Sequence, residues 1–244
     1  VIHSDLDLFL KPFNFKFAPE ISTSNRCMIG GMIGNNAAGS HSVIYGTTRE
    51  HVVAIEALLS DGSVVEFRPL TDDEVNTKCA LLTAEGEIYR TVTGVINQHR
   101  TQILKRYPKP EIIRRNTGYP LDVLAQGQPW VKSGPRFNLA PFLCGTEGTL
   151  AFTLSATLKL VEIPKAKGLS CIHFSSLEQA MVATPAILKH QPAAIELMDK
   201  RLLALTENHL AHRRNRQWVE GTSEAVLAVE FFGDSDAKIA QCFK

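Results

Sequence analysis

The chain has 244 residues, 44% of them hydrophobic, and its 26 basic and 25 acidic side chains give a formal net charge of +1. This balance of charges argues against nucleic acid or a strongly anionic membrane as a partner, because proteins that bind either one usually carry an excess of positive charge. No apolar run is long enough for a transmembrane helix, and no basic N-terminal region indicates a signal peptide.

The five cysteines are too far apart in the sequence for a Cys-x-x-Cys pair. We therefore predict neither a disulfide framework nor a metal site. A cytoplasmic location is expected, with peripheral attachment to an inner membrane left open.

A short helix is predicted near the N-terminus, ended by Pro12. Residues 26–46 then form an almost uncharged, glycine-rich stretch, which we interpret as turn-rich backbone able to approach an anion or a polar ring. Gly30 and Gly31 are adjacent, so the stretch lacks the spacing of a dinucleotide fingerprint, and it has no lysine for a P-loop. A purely structural turn is the alternative.

The next segment predicts a β-hairpin, with strands over 52–59 and 63–67 and a turn at Asp61 and Gly62. Thr71 and Glu74 have the spacing of a capping box at the start of a short helix. A longer helix is predicted from about residue 87 to residue 107.

Two adjacent arginines, Arg114 and Arg115, precede a polar turn that contains Thr117 and Tyr119. An arginine fork can hold a carboxylate, but a strand would aim neighbouring side chains to opposite faces, so at most one arginine is expected in a site. A solvated arginine pair beside a structural turn is the alternative. Residues 125–137 are predicted to be an exposed insertion that Trp130 anchors.

Residues 149–161 alternate between apolar and polar, which predicts a half-buried strand with Leu150, Phe152 and Leu154 on one face. Residues 164–168 are predicted to be a linker. The remaining chain predicts a strand at 169–174, a helix from Ser175 to about 190, a helix following 195–199, a strand at 225–232 and a helix from 234.

Three separated segments resemble one protein family: Phe17–Ser24, Ile29–Gly39 with Tyr45–Val52, and Cys144–Phe152. They are similar to the second FAD-binding subdomain of the vanillyl-alcohol-oxidase-type flavoproteins. The most similar branch contains the FAD-linked oxidases related to D-lactate dehydrogenase, the glycolate oxidase flavin subunit and D-2-hydroxyglutarate dehydrogenase.

The resemblance implies an α+β fold, with a PCMH-type second FAD-binding subdomain over residues 1–164 and part of a ferredoxin-like cap domain over residues 165–244. The implied sheet is mixed or antiparallel with flanking helices, and the implied cofactor is FAD. The implied cofactor-binding residues are Pro19, Ser22, Thr23, Asn25, Ile29, Gly30, Gly31, Asn35, Asn36, Gly39, Ser40, Tyr45, Gly46, Glu147, Gly148, Leu150 and Phe152.

The resemblance also implies a dehydrogenase that oxidises the CH–OH group of a small 2-hydroxy acid such as D-lactate, glycolate or D-2-hydroxyglutarate. Arg114, Arg115, Thr117 and Tyr119 are the implied substrate-binding residues. The electron acceptor is unknown, with an iron–sulfur domain or a quinone as options, and a homodimer is left open.

We expect no catalytic residue in this chain, because His41, His51, His99 and His173 lie outside any His-rich motif of the kind that handles protons in the family. The chain is expected to be an internal fragment that is inactive and binds FAD weakly or not at all. The alternatives are a flavin-dependent transferase of the alkylglycerone-phosphate synthase type and a non-catalytic module with the flavin-binding fold.

Overall fold

The computed structural model describes residues 1–109, 111–112, 114–115, 118–207, 209, 212 and 214–243. The chain divides into two compact units. Unit 1 comprises Val1–Gly39 and Tyr45–Val161, and unit 2 comprises Ser40–Ile44 and Glu162–Lys244. Within the described ranges, no helix is both long and apolar enough to cross a membrane.

The chain as far as residue 162 alternates short helices with short strands. The helices are α1 (His3–Leu10), α2 (Ile29–Asn35), α3 (Ser42–Tyr45), α4 (Asp72–Ala80), α5 (Ala84–Arg106), α6 (Leu121–Ala125) and α7 (Ala140–Leu143), with 3-10 turns at Lys11–Phe13 and Thr48–His51. The strands are β1 (Phe15–Lys16), β2 (Val52–Leu58), β3 (Val64–Phe67), β4 (Phe152–Leu158) and β5 (Val161–Glu162).

The predicted hairpin is confirmed: β2 and β3 pair antiparallel, and β4 joins the other edge of β2 to give the order β3-β2-β4. Gly62 adopts a φ of 84° in the connecting turn, a conformation that glycine adopts without steric cost. Ile55 and Phe67 face the core of unit 1 and are almost fully buried.

The capping box at the start of α4 is also confirmed. The Thr71 side chain accepts a hydrogen bond from the Glu74 amide, and the Glu74 carboxylate accepts one from the Thr71 amide. The long helix α5 starts three residues earlier than predicted, because Thr83 caps it by accepting a hydrogen bond from the Gly86 amide.

The prediction that the glycine-rich stretch is turn-rich is wrong for its central part, where Ile29–Asn35 forms α2. Three glycines in seven residues oppose a helix. The helix buries Ile29, Met32 and Ile33 in the core of unit 1. This burial of apolar side chains outweighs the unfavourable local propensity.

The strand predicted after residue 149 is confirmed as β4, and its predicted buried face is correct for Ala156 and Leu158 but wrong for Phe152 and Leu154. The register against β2 shifts between Glu56 and Ala57, so the alternation of side chains is interrupted within β4. Phe152 and Leu154 are 68% and 47% exposed, whereas Ala156 packs against the core of unit 1.

The loop after α6 is anchored as predicted but is less exposed than predicted. The Trp130 indole N–H donates to Asn97 at 2.6 Å. At the end of the loop, Phe137 is only 2% exposed, and its carbonyl accepts a hydrogen bond from the Leu70 amide at 2.9 Å. The residues that close the loop therefore belong to the core of unit 1.

Unit 2 contains β6 (Ala166–Phe174), α8 (Leu177–Leu188), β7 (Ala194–Asp199), α9 (Lys200–Glu207), β8 (Ala225–Gly233) and α10 (Asp236–Cys242). Its sheet has the order β6-β8-β7, and β8 runs antiparallel to both neighbours. Because β6 and β7 are therefore parallel and joined through α8, this is the split βαβ arrangement of ferredoxin-like folds. The α+β fold class is confirmed.

One prediction in this unit is wrong. The predicted linker at 164–168 is partly strand, because β6 begins at Ala166. The helix predicted after 195–199 is confirmed as α9, but no strand was predicted for Ala194–Asp199, and all six of these residues pair with β8.

Candidate functional site

The solvent-facing side of α2 is bare backbone. Gly30 and Gly31 are exposed, and a Cβ built on either would find no atom within 4 Å. A glycine inside a helix costs about 1 kcal/mol relative to alanine, and the described part of the chain gives no steric reason for these two. By contrast, a Cβ on Gly39 would lie 1.3 Å from the Glu20 carbonyl oxygen, so that glycine is required by packing.

The segment that begins at Cys144 packs on the C-terminal end of α2. The Gly145 amide donates to the Ile33 carbonyl at 3.0 Å, and the Glu147 amide donates to the Gly34 carbonyl at 2.9 Å. These carbonyls lie in the last turn of the helix, where intrahelical partners are missing. Two segments more than 100 residues apart, both implicated by the resemblance, thus lie side by side in unit 1.

Where the segment that begins at Cys144 meets α2, two residues in the left-handed backbone conformation are exposed to solvent. Glu147 and Gly148 have φ angles of 53° and 73°, and both are exposed. The Asn35 side-chain amide donates to the Glu147 carboxylate at 3.0 Å. The Glu147 amide already donates to the Gly34 carbonyl, so this junction offers a polar ligand mainly the exposed side chains of Asn35 and Glu147.

Asn36 and Gly46, both predicted to bind the cofactor, have structural functions in unit 1. Asn36 ends α2 with a φ of 53°, and its buried side-chain oxygen accepts hydrogen bonds from the Thr47 hydroxyl at 3.0 Å and the Arg49 amide at 2.8 Å. Gly46 adopts a φ of 74° beside the Glu50 side chain. These contacts fix the chain on either side of the 40–44 segment.

The predicted residues upstream of α2 lie on one turn. Pro19 is buried, Thr23 is half-buried, and Ser22 and Asn25 are exposed. The Thr23 carbonyl accepts two backbone hydrogen bonds at 2.9 Å, from the amides of the residues three and four positions later. Two polar side chains of this turn are thus accessible to solvent.

Five further predicted residues differ in their surroundings. Tyr45 lies under the Lys16 ammonium group, 5.6 Å from the ring centroid, and burial together with the Glu20 charge raises its pKa. Ile29 is in the core of unit 1. Ser40 is not in unit 1 with the others, because the 40–44 segment packs in unit 2. Leu150 and Phe152 are exposed side chains at the start of β4.

The two arginines are separated by their partners. Arg115 forms an ion pair with the buried Asp122 at 2.5 Å, whereas Arg114 is exposed and donates to the Ala38 carbonyl at 3.4 Å. Arg114 therefore lies beside the glycine-rich segment. The Tyr119 ring stacks on Phe142, with centroids 5.1 Å apart. Thr117 lies outside the described residues.

Comparison with known families decides which proteins this chain resembles. Residues 1–68 match the family described as FAD binding domain, and residues 163–243 match the family described as FAD linked oxidases, C-terminal domain. The chain is thus similar to FAD-linked oxidases at both of these regions. These matches also confirm the predicted cofactor, FAD.

Curated relatives support the same family. The chain is 32% identical to D-2-hydroxyglutarate dehydrogenase from Pantoea ananatis and 33% identical to the protein of that name from Escherichia coli. Each alignment covers 98% of this chain and 23% of the relative, so the chain spans about a quarter of these proteins. A solved alkyldihydroxyacetonephosphate synthase matches with a TM-score of 0.58 at 14% identity, over 100% of this chain and 36% of that one. That likeness shows the fold alone.

The residues of unit 1 fit a flavin nucleotide. The unfilled space above Gly30 and Gly31 admits a ligand against the backbone, and the exposed groups at Asn35, Glu147 and Gly148 lie at the other end of the same helix. Over the described ranges, no cluster of His, Cys, Asp and Glu has the geometry of a metal site.

Two polar residues of unit 1 were missed by the sequence analysis. Asp122 is buried and neutralises Arg115. No motif in the sequence links these two residues, because they come together only when the chain between them turns. Arg49 is 9% exposed and belongs to the motif Tyr45–Val52, but the resemblance gave it no function.

Proposed function

We propose that this chain is part of an FAD-dependent dehydrogenase that oxidises the CH–OH group of a small 2-hydroxy acid. In this proposal residues 1–164 form the second FAD-binding subdomain, and residues 165–244 form part of the cap domain. D-2-hydroxyglutarate is the first substrate to test, because the relatives that match 98% of the chain carry its name.

One observation in unit 1 carries the flavin part of the proposal. Gly30 and Gly31 leave the first turn of α2 bare, and two backbone hydrogen bonds join the last turn of the same helix to the Glu147 segment. An accessible backbone surface allows a flat or charged ligand to approach more closely than a side-chain surface would. FAD, when bound, supplies the acceptor for the hydride of the substrate.

The protein residues would bind and orient these molecules. Gly30, Gly31, Asn35 and Glu147 would contact the cofactor, and the turn that contains Ser22 and Asn25 would contribute hydroxyl and amide groups. No residue of this chain is proposed to transfer the proton.

The contacts of the two arginines favour Arg114 as the carboxylate ligand, because Asp122 already neutralises Arg115. We expect Arg114→Gln to weaken binding of D-2-hydroxyglutarate by roughly 10- to 100-fold, the effect of losing a charged hydrogen bond, without changing the melting temperature. Arg115→Gln should instead destabilise unit 1 by about 2–4 kcal/mol, because it leaves the Asp122 carboxylate buried and unpaired. Binding titrations and thermal unfolding of both variants distinguish these outcomes, and loss of substrate affinity confined to Arg115→Gln would contradict the assignment.

A titration of the purified chain with FAD, followed by flavin absorbance and fluorescence, tests the proposal. Saturable binding, followed by bleaching of the flavin absorbance when D-2-hydroxyglutarate is added without oxygen, is the result expected of a working dehydrogenase site. Saturable binding without bleaching is expected if this chain holds the cofactor but lacks the proton-transfer residues. If FAD does not bind at any concentration, the chain behaves as predicted for a fragment, and the flavin surface proposed here does not hold the cofactor by itself.

A further inference from the structure

Arg49 is a buried charge whose contacts are all neutral. Its guanidinium donates to the carbonyl oxygens of Pro141 at 3.2 Å, Cys144 at 2.7 Å and Arg115 at 3.5 Å. Among the residues that the structure describes, no carboxylate lies within ion-pair distance of it. An arginine has five N–H donors, so two remain after these three bonds. Burying a guanidinium without a negative partner is unfavourable.

The nearby acidic groups are occupied by other partners. The Asp122 carboxylate pairs with Arg115 at 2.5 Å. The Glu50 carboxylate accepts hydrogen bonds from the Thr47 amide at 2.6 Å and the Thr47 hydroxyl at 2.5 Å. Burial lowers the pKa of Arg49 even though the charges of Glu50 and Asp122 act in the opposite direction. A further anion at Arg49 would therefore be favourable.

Arg49 lines a cavity of about 400 Å³ within unit 1. This volume falls in the usual range for small-molecule sites. Its walls are mainly apolar and include Val52, Val123, Leu124, Phe137 and Phe142. The exposed Arg136 also lines it, and none of the described residues predicted to bind cofactor or substrate does so.

We propose that this cavity is a second binding site, which takes a small monocarboxylate with an apolar body. Arg49 would hold the carboxylate through its two remaining N–H donors, and the apolar walls would enclose the hydrocarbon. The charged lining consists of Arg49, Arg136 and Glu50, so it favours a ligand with one negative charge over a phosphate dianion. The proposal does not depend on the flavin site, because the two share no lining residue.

Octanoate is the probe, titrated into the purified chain by isothermal calorimetry. We expect saturable one-to-one binding with a dissociation constant of about 10–100 µM. The control ligands 1-octanol, which lacks the charge, and acetate, which lacks the hydrocarbon, should bind at least about 10-fold more weakly. Inorganic phosphate should also bind weakly. The proposal is overturned if octanoate shows no saturable binding up to about 1 mM, or if 1-octanol binds as tightly.

Two substitutions locate the binding. Val123→Trp fills the cavity from its partly exposed side without removing a contact of Arg49, and it should weaken octanoate at least about 10-fold. Val182→Trp on α8 of unit 2, at a position 73% exposed, is the matched control and should leave binding unchanged. If Val123→Trp does not fold, Arg136→Gln at the exposed edge should still reduce affinity about threefold or more. Unchanged binding in a folded Val123→Trp variant would refute the location.

Discussion

The exposed glycines of α2 lead to opposite predictions for the stability of unit 1 and for its binding of the cofactor. Gly30→Ala and Gly31→Ala place methyl groups where no atom lies within 4 Å. Alanine is favoured over glycine in a helix by about 1 kcal/mol in its interior and by less near its start, so each change should stabilise unit 1 by roughly 0.5–1 kcal/mol. For a unit of about 150 residues, the double variant should melt about 2–8 °C higher.

The same two methyl groups should obstruct a ligand that rests on the helix backbone. We expect the double variant to bind FAD at least 10-fold more weakly, a loss of about 1.4 kcal/mol or more. Thermal unfolding without ligand and a fluorescence titration with FAD measure the two effects separately. Greater stability with weaker FAD binding is the combination that a ligand-facing glycine pair predicts.

Two other glycines serve as controls. Gly94→Ala in α5 also adds a methyl group to an exposed helical position with no atom within 4 Å, so it should stabilise unit 1 and leave FAD binding unchanged. Gly39→Ala should prevent folding, because its Cβ would overlap the Glu20 carbonyl oxygen. If the Gly30 and Gly31 double variant binds FAD as tightly as the unsubstituted chain, the reasoning about this surface fails.

Two tyrosine hydroxyls and the capping box give further predictions for unit 1. Tyr89 is fully buried, and its hydroxyl has no hydrogen-bond partner among the described residues, so Tyr89→Phe should stabilise unit 1 by about 1 kcal/mol in urea unfolding. The matched change Tyr107→Phe removes a 2.7 Å hydrogen bond to the Tyr119 carbonyl and should destabilise it by roughly 0.5–1.5 kcal/mol, so the same sign for both would contradict this account. Hydrogen bonds from the Thr71 amide above all lower the pKa of Glu74 to about 2 from a usual value of 4.5. A depressed folded-state pKa stabilises the protein above pH 4.5, and this contribution disappears as the pH falls from 4.5 towards 2, so Glu74→Gln should reduce the slope of melting temperature against pH in that interval.

Much of the fold could be predicted because its signals are local. The Asp61–Gly62 turn, the capping box at Thr71 and the long periodic helix α5 each depend on residues a few positions apart. The candidate cofactor segments could be found from a resemblance of short motifs. Their association could not, because the hydrogen bonds from Gly145 and Glu147 to α2 span more than 100 residues.

The sequence by itself determined the α+β class, the resemblance to FAD-linked oxidases and the individual motifs. Tertiary structure decided the helical state of α2, since burial of Met32 and Ile33 stabilises a segment that its glycines disfavour. It also decided that Ala194–Asp199 is a strand, because β8 supplies the backbone partners. Finally, it separated Arg114 from Arg115 by placing the Asp122 carboxylate next to only one of them. Partners brought together by the folded chain are not encoded in any short stretch, so these results required the structure.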